Sequence, residues 1–78
     1  MKEAPNTIVL VHGFWLTERE LEVLGLMARG LSNREIAGVI GRTEATVKVH
    51  LLHVLSKLDV DDRTSAVTVA LKRGLIDL

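Results

Sequence analysis

Two copies of one short pattern, "LTERE" at residues 16–20 and "LSNRE" at residues 31–35, constrain this chain more than any other feature. In each copy a hydroxyl residue is followed three positions later by glutamate, the capping box that begins an α-helix. The leucine before each hydroxyl and the apolar residue five positions further on supply the hydrophobic staple of such a start. The pattern therefore predicts helices that begin at about residues 18 and 33.

Further start and stop signals divide the rest of the chain. Thr43 and Asp62 are predicted N-caps, whereas Gly30, Gly41 and Gly74 are predicted to end helices. Together the signals predict four helices, at about residues 18–29, 33–40, 44–58 and 63–73. Because only two residues link the second helix to the cap of the third, these helices must cross steeply, which is the geometry of a helix-turn-helix.

Residues 1–15 form an N-terminal arm or linker before the capped helices. The stretch "TIVLVH" within it is rich in β-branched residues, which is typical of a strand. A lone strand is not stable, so this one needs a partner from another chain, from a further domain or from packing on the helices. We therefore expect an all-α, four-helix domain over residues 16–78, preceded by a short irregular or strand-like arm.

The distribution of charge along the chain says more about function than the overall composition does. The 78 residues suffice for one domain, and the absence of cysteine excludes disulfides and thiolate metal sites. No apolar run approaches the roughly 20 residues of a membrane span, so we expect a soluble intracellular protein that is not bound to a membrane. The net charge is zero, but residues 1–28 carry −2, residues 29–58 carry +3 and residues 59–78 carry −1. Because the local field decides association with a polyanion, the basic middle segment favours nucleic acid.

The third predicted helix has two sides of different character. At about 100° per residue, one side forms a core face of aliphatic residues: Val47, Leu51, Val54, Leu55 and Leu58. The opposite side carries small and apolar residues with polar or basic groups at its edges: Ala45, Val49, Leu52 and Ser56, flanked by Thr46, Lys48 and His53. One interpretation is a wet surface with stray apolar residues. The other is contact with DNA, since small side chains let a helix approach base edges closely.

Six motifs then point to a family: "LTERE", "GLSNREIA", "TVKVH", "KLDV", "RTSAV" and "GLI", in this order between Leu16 and Ile76. The chain resembles the LuxR/FixJ-type helix-turn-helix domain, also called the GerE or NarL type, of bacterial response regulators and quorum-sensing regulators. The resemblance implies sequence-specific binding of double-stranded DNA in transcription regulation, with the third helix in the major groove and a homodimer on two half-sites. It also implies a cytoplasmic, nucleoid-associated protein with RNA polymerase as a second partner.

The resemblance assigns roles to particular positions. Base contacts are expected from Lys48 and Val49 and, as in some members of the family, from Ala45 and Leu52. The resemblance also implies contacts to the DNA backbone from Asn33, Arg34, Thr43 and Thr46. From their places on the third helix, His50, His53 and Lys57 are expected to contact the backbone as well. The dimer interface is expected around Val69, Lys72 and Arg73 on the fourth helix. Leu52 stands where several relatives carry a hydrogen-bond donor, so the base preference is expected to differ there.

Parts of the sequence also suggest other functions. His50 and His53 could chelate a metal, but no third ligand is nearby, so we expect no metal, no cofactor and no small-molecule ligand. The stretch "IVLVHGFW" is similar to a strand and turn of α/β-hydrolases over eight residues only, and without a G-x-S-x-G motif we expect no enzyme and no catalytic residue. A helix-turn-helix protein–protein module and a fragment similar to region 4 of a sigma factor stay open as alternatives.

Overall fold

A computed structural model of the chain describes residues 8–11 and 13–77. Within them lie two strands and four helices: β1 (Ile8–Val11), β2 (Phe14–Thr17), α1 (Glu18–Ala28), α2 (Asn33–Ile40), α3 (Glu44–Leu58) and α4 (Arg63–Lys72). The predicted four-helix fold class is confirmed. Two helices are one residue shorter than the sequence indicated, since α1 ends before residue 29 and α4 before residue 73.

Both predicted capping boxes are present. The Thr17 hydroxyl accepts a hydrogen bond from the Glu20 backbone N–H at 3.0 Å, and the Glu20 carboxylate accepts one from the Thr17 N–H at 2.9 Å. The corresponding distances between Ser32 and Glu35 are 3.1 and 2.8 Å. Each box satisfies two backbone groups that a helix start leaves without a partner, which fixes where α1 and α2 begin.

The helix ends use the left-handed conformation. Gly30 follows α1 with φ of 89°, and the Leu31 N–H donates to the Leu26 carbonyl at 3.2 Å, which closes the last turn. At the end of α3 the same conformation falls on Asp59, with φ of 58°. Asp59 is the one residue other than glycine with a positive φ in the described part of the chain, a position where aspartate is tolerated better than most residues.

The expectation for the arm needs a correction. The strand in "TIVLVH" pairs with a segment of this same chain, since β1 runs antiparallel to β2 with Ile8 opposite Thr17 and Val11 opposite Phe14. The residues "LT" carry the start signal of the first helix, which hides the fact that they also end the strand β2. Gly13, with φ of 91°, permits the tight turn between the strands. Residues 1–7, His12 and Leu78 lie outside the described residues.

Helix α3 occupies the centre of the fold. It packs against α1, α2, α4 and β2, so all the main elements meet its inner side. Val47, Val54 and Leu58 of α3 are buried and Leu51 and Leu55 are half-buried, which confirms the predicted core face. The partners in the core come from every helix and from β2: Leu16, Val23, Leu24, Met27, Ile36, Ala37, Ile40, Ala66 and Ala70, with Leu75 of the C-terminal segment. None of the helices in the described ranges is long and apolar enough to cross a membrane.

Candidate nucleic-acid interface

The outer face of α3, formed by Ala45, Lys48, Val49, Leu52 and Ser56, is exposed along its whole length. Val49 is 49% exposed and Leu52 is 53% exposed, although both are large aliphatic residues. Gly41 ends α2 with φ of 70°, and Thr43 already caps α3, so the chain turns sharply between the two helices. This turn leaves one side of α3 on the core and the other side free in the described structure.

The N-terminal end of α3 presents two hydroxyl groups. The Thr43 hydroxyl accepts a hydrogen bond from the Thr46 N–H at 3.2 Å and lies 3.1 Å from the Thr46 hydroxyl. Thr43 is exposed and Thr46 is half-buried. The start of a helix carries a partial positive charge from its unpaired N–H groups, so this end of α3 favours a nearby anion such as a phosphate.

The start of α2 carries Asn33, which is half-buried, and Arg34, which is exposed. The Asn33 side-chain oxygen accepts a hydrogen bond from the Arg63 guanidinium at 3.2 Å, and the same guanidinium donates to the Leu31 carbonyl. Arg63 therefore joins the start of α4 to the start of α2, a role that no local sequence pattern predicts. Asn33 keeps its amide N–H groups as donors, whereas the Arg34 side chain is exposed.

Two basic side chains on one flank of α3, Lys57 and His53, lie against Glu20. Lys57 Nζ donates to Glu20 Oε1 at 2.8 Å, and His53 Nδ1 lies 3.7 Å from Glu20 Oε2. Together with His50 they line a cleft of about 370 Å³ between the β1–β2 hairpin and α3, whose other lining residues are Ile8, Thr17 and Val49. Glu20 is 2% exposed and is the one buried charged residue among those the structure describes.

Two side chains of this cleft have displaced pKa values. Burial raises the pKa of Glu20, but the hydrogen bonds from Lys57 and the Thr17 N–H, together with the charges of Lys57 and His53, outweigh burial and hold the pKa below its usual value. Burial lowers the pKa of His50, and the nearby positive charge of Arg19 lowers it further. Glu20 is therefore ionised and His50 neutral at pH 7, so His50 presents one N–H donor rather than a charge.

The remaining predicted residues lie apart from this flank. On α4, Val69 is half-buried and Lys72 is exposed, while Arg73 follows the helix with its guanidinium 5.7 Å from the centre of the Phe14 ring. Leu71 is also exposed on α4. His50 and His53 do share the cleft, but in the described ranges no three His, Cys, Asp or Glu side chains come together as metal ligands.

The sharp α2–α3 turn and the exposed outer face of α3 define a helix-turn-helix domain. The family model described as "Bacterial regulatory proteins, luxR family" matches residues 15–70. The chain belongs to this family, which confirms the resemblance inferred from its motifs.

Known relatives agree with the family assignment. The response regulator protein VraR of Staphylococcus aureus is 54% identical over 61 residues, which cover 78% of this chain and 29% of VraR. The solved response regulator ChrA of a heme-sensing two-component system matches with a TM-score of 0.76 at 51% identity, over 78% of this chain and 30% of ChrA. The transcription factor GerE matches with a TM-score of 0.75 at 32% identity, over 80% of this chain and 92% of GerE. The chain thus spans less than a third of the length of VraR.

Proposed function

We propose that this chain binds double-stranded DNA in a sequence-specific manner and regulates bacterial transcription from the cytoplasm. The observation that carries the proposal is the exposed outer face of α3, where aliphatic residues and one lysine stand beside a capped helix start. The luxR family and the similarity to a transcription factor support it. RNA polymerase is proposed as its second partner.

The proposal places α3 in the major groove, whose width admits an α-helix. Lys48 donates to the acceptors on a guanine edge, and Val49 contacts base edges beside it. Leu52 cannot donate a hydrogen bond, so it contacts apolar groups such as a thymine methyl. Ala45 keeps the helix close to the bases because its side chain is small. In this arrangement Leu52 makes the protein less selective for guanine than a relative with a donor at that position.

The phosphates on either side of the groove are met by polar groups at the edges of the α3 outer face. Thr43, Thr46, Asn33 and Arg34 bind one strand from the two helix starts, where the partial positive charge also attracts phosphate. On the flank of α3, His50, His53 and Lys57 bind the other strand. Lys57 has three N–H donors, so it can hold Glu20 and a phosphate at once.

A homodimer through α4 completes the proposal. Val69, Lys72 and Arg73 lie on or just after α4, and the exposed Leu71 adds apolar surface to the same helix. A two-fold dimer places its recognition helices about 34 Å apart, in successive turns of the major groove. Val69→Glu is expected to weaken dimer formation with the fold intact, as measured by sedimentation and circular dichroism. A monomer before and after the change removes α4 from the proposed interface.

Selection of bound duplexes from a random library tests the function directly. The expected result is an enriched sequence of two half-sites with a spacing of one helical turn or a multiple of it. Lys48→Ala is then expected to weaken binding to the selected duplex by about 1–3 kcal/mol and to relax the preference at one position. Absence of any enriched sequence contradicts the proposed specificity, and unchanged binding by the variant removes Lys48 from the base contacts.

A protein partner is the second candidate, and the outer face of the hairpin favours it. Ile8, Leu10 and Trp15 are each more than half exposed, and the described hairpin residues carry no charge. Exposed apolar patches mark protein contacts more often than contacts with a polyanion. Salt dependence separates the two candidates, because each phosphate contact adds about 0.9 to the negative slope of log affinity against log salt, whereas a protein contact gives a much flatter line.

A further inference from the structure

The buried carboxylate of Glu20 joins three separate elements of the fold. Its Oε1 accepts from the Thr17 N–H at the end of β2 and from Lys57 Nζ on α3, at 2.9 and 2.8 Å. Its Oε2 faces His53 Nδ1 on α3 at 3.7 Å, which is too long for a hydrogen bond. Glu20 itself belongs to the first turn of α1. One side chain therefore links the hairpin, α1 and the recognition helix α3.

A glutamate that only closes a capping box does not need to be buried or to contact another helix. Glu35 closes the same box at the start of α2, yet it is exposed, and in the described structure its carboxylate bonds only within its own helix start. A capping glutamate loses hydration when it is buried, so burial is unfavourable unless other partners replace the water. At Glu20 the partner beyond the capping box is Lys57, with His53 nearby, and both belong to the helix that carries the outer face.

The positions of Lys57 and His53 along α3 connect Glu20 to the outer face that we propose contacts the bases. Val49, His53 and Lys57 follow one another at intervals of four residues, so they form one line along α3. Glu20, on α1, contacts the last two members of this line, His53 and Lys57. The first member, Val49, belongs to the outer face. A rotation of α3 about its axis would move all three together. A change in the contacts of Glu20 can therefore alter the direction in which Val49 and its neighbour Lys48 point.

We propose that Glu20 is a positioning residue for DNA recognition, which sets the rotation of α3 through Lys57 and His53. The inference rests on the proposed function, since it concerns how accurately the outer face of α3 meets base edges. Phosphate contacts tolerate small shifts because they carry no sequence information, whereas base contacts depend on alignment. Loss of the Glu20 contacts should therefore reduce discrimination between sequences more than it reduces binding to DNA in general.

The test compares the unmodified chain with Glu20→Gln and with Glu35→Gln as the matched control. Glutamine can still close a capping box, so both variants keep the helix start and lose one negative charge. Affinity is measured for the duplex selected from the random library and for a scrambled duplex of equal length. The ratio of the two affinities is the readout, because a partly unfolded sample weakens both by the same factor.

The expected result is a fall of about tenfold in this ratio for Glu20→Gln, the discrimination carried by one good base contact, and no change for Glu35→Gln. Equal shifts for both duplexes in Glu20→Gln, or equal falls in both variants, overturn the positioning role. An unmodified chain that binds neither duplex, or binds both equally, refutes the proposed function itself. That outcome is seen before any variant is measured, so the two failures are distinguishable.

Lys57→Gln supplies a second variant on the other side of the same contact. If Glu20 positions α3 through Lys57, this variant also lowers the ratio, and the double variant lowers it no further than either single change. If Lys57 acts only as a phosphate contact, both duplexes lose affinity equally and the salt slope falls by about 1. The second pattern contradicts the proposal even where Glu20→Gln is poorly folded.

Discussion

Glu20 and Glu35 hold the same position in the same local pattern, yet their surroundings differ. Each lies three residues after a capping hydroxyl, and each carboxylate accepts a backbone hydrogen bond at the start of its helix. Glu20 is buried against α3, whereas Glu35 faces solvent. The difference shows that a capping box fixes where a helix begins but not what lies beside it. Only the packing of α1 against α3 gives Glu20 its contact with Lys57.

The surroundings of the two helix starts explain the difference. Thr17, which caps α1, is also the last residue of β2, and β2 packs against α3. The first turn of α1 is therefore covered by the hairpin on one side and by α3 on the other. Ser32, which caps α2, follows a short loop at the surface. The capping box is thus buried at the start of α1 and open to solvent at the start of α2.

Replacement of each glutamate by alanine should give the largest contrast. Glu20→Ala removes two hydrogen bonds to a charged acceptor and leaves Lys57 without its partner, so we expect a loss of about 2–3 kcal/mol in the free energy of unfolding. Glu35→Ala removes a capping bond at an exposed site, and its effect should be clearly smaller. Urea denaturation followed by circular dichroism measures both. Equal losses would show that burial adds nothing to the capping role of Glu20.

The two capping hydroxyls should behave more alike than the two glutamates. Thr17→Ala and Ser32→Ala each remove one bond to a backbone N–H, at 3.0 and 3.1 Å, and each should cost about 1 kcal/mol of stability. The same denaturation experiment applies, with a serine in place of Thr17 as a control that keeps the hydroxyl. A much larger loss for Thr17→Ala than for Ser32→Ala would mean that the strand β2 depends on this hydroxyl as well.

The helices could be predicted from the sequence because their boundaries are set by local chemistry. Capping boxes, glycine stops and the core face of α3 all depend on residues within a few positions of one another. The exposed face of α3 followed from the same spacing, since a helix with five aliphatic residues on one side must present the others outward. The outer face that supports the proposed function was therefore foreseeable from the chain alone.

The hairpin and the partners of Glu20 could not be foreseen in the same way. β2 consists of "FWLT", and its last two residues also carry the staple and the cap of α1, so the helix signal concealed the strand. Lys57 lies 37 residues from Glu20 along the chain, and no local rule relates them. Pairs of this kind depend on how packed helices cross, which a single sequence does not specify. Contacts between distant elements were therefore missed, whereas contacts within elements were found.

Lowering the pH should give the smallest and most specific difference in stability between the two glutamates. The folded-state pKa of Glu20 lies below the ordinary value of 4.5, so its ionised form stabilises the fold fully above about pH 5. This contribution is lost as pH falls through the lowered pKa, because the folded state must then take up a proton. The effect is smaller than that of Glu20→Ala, since a protonated carboxyl still accepts hydrogen bonds.

The measurement is the difference in free energy of unfolding between the unmodified chain and Glu20→Gln, followed from pH 7 to pH 3. This difference should shrink as the pH falls, since the unmodified chain loses its ionised carboxylate while the variant has none to lose. The pKa of Glu35 is also lowered, by the hydrogen bonds from Ser32, so the Glu35→Gln difference should shrink too. It should shrink less, because solvent screens an exposed carboxylate. Equal slopes for the two variants would contradict a distinct electrostatic role for Glu20 and Lys57.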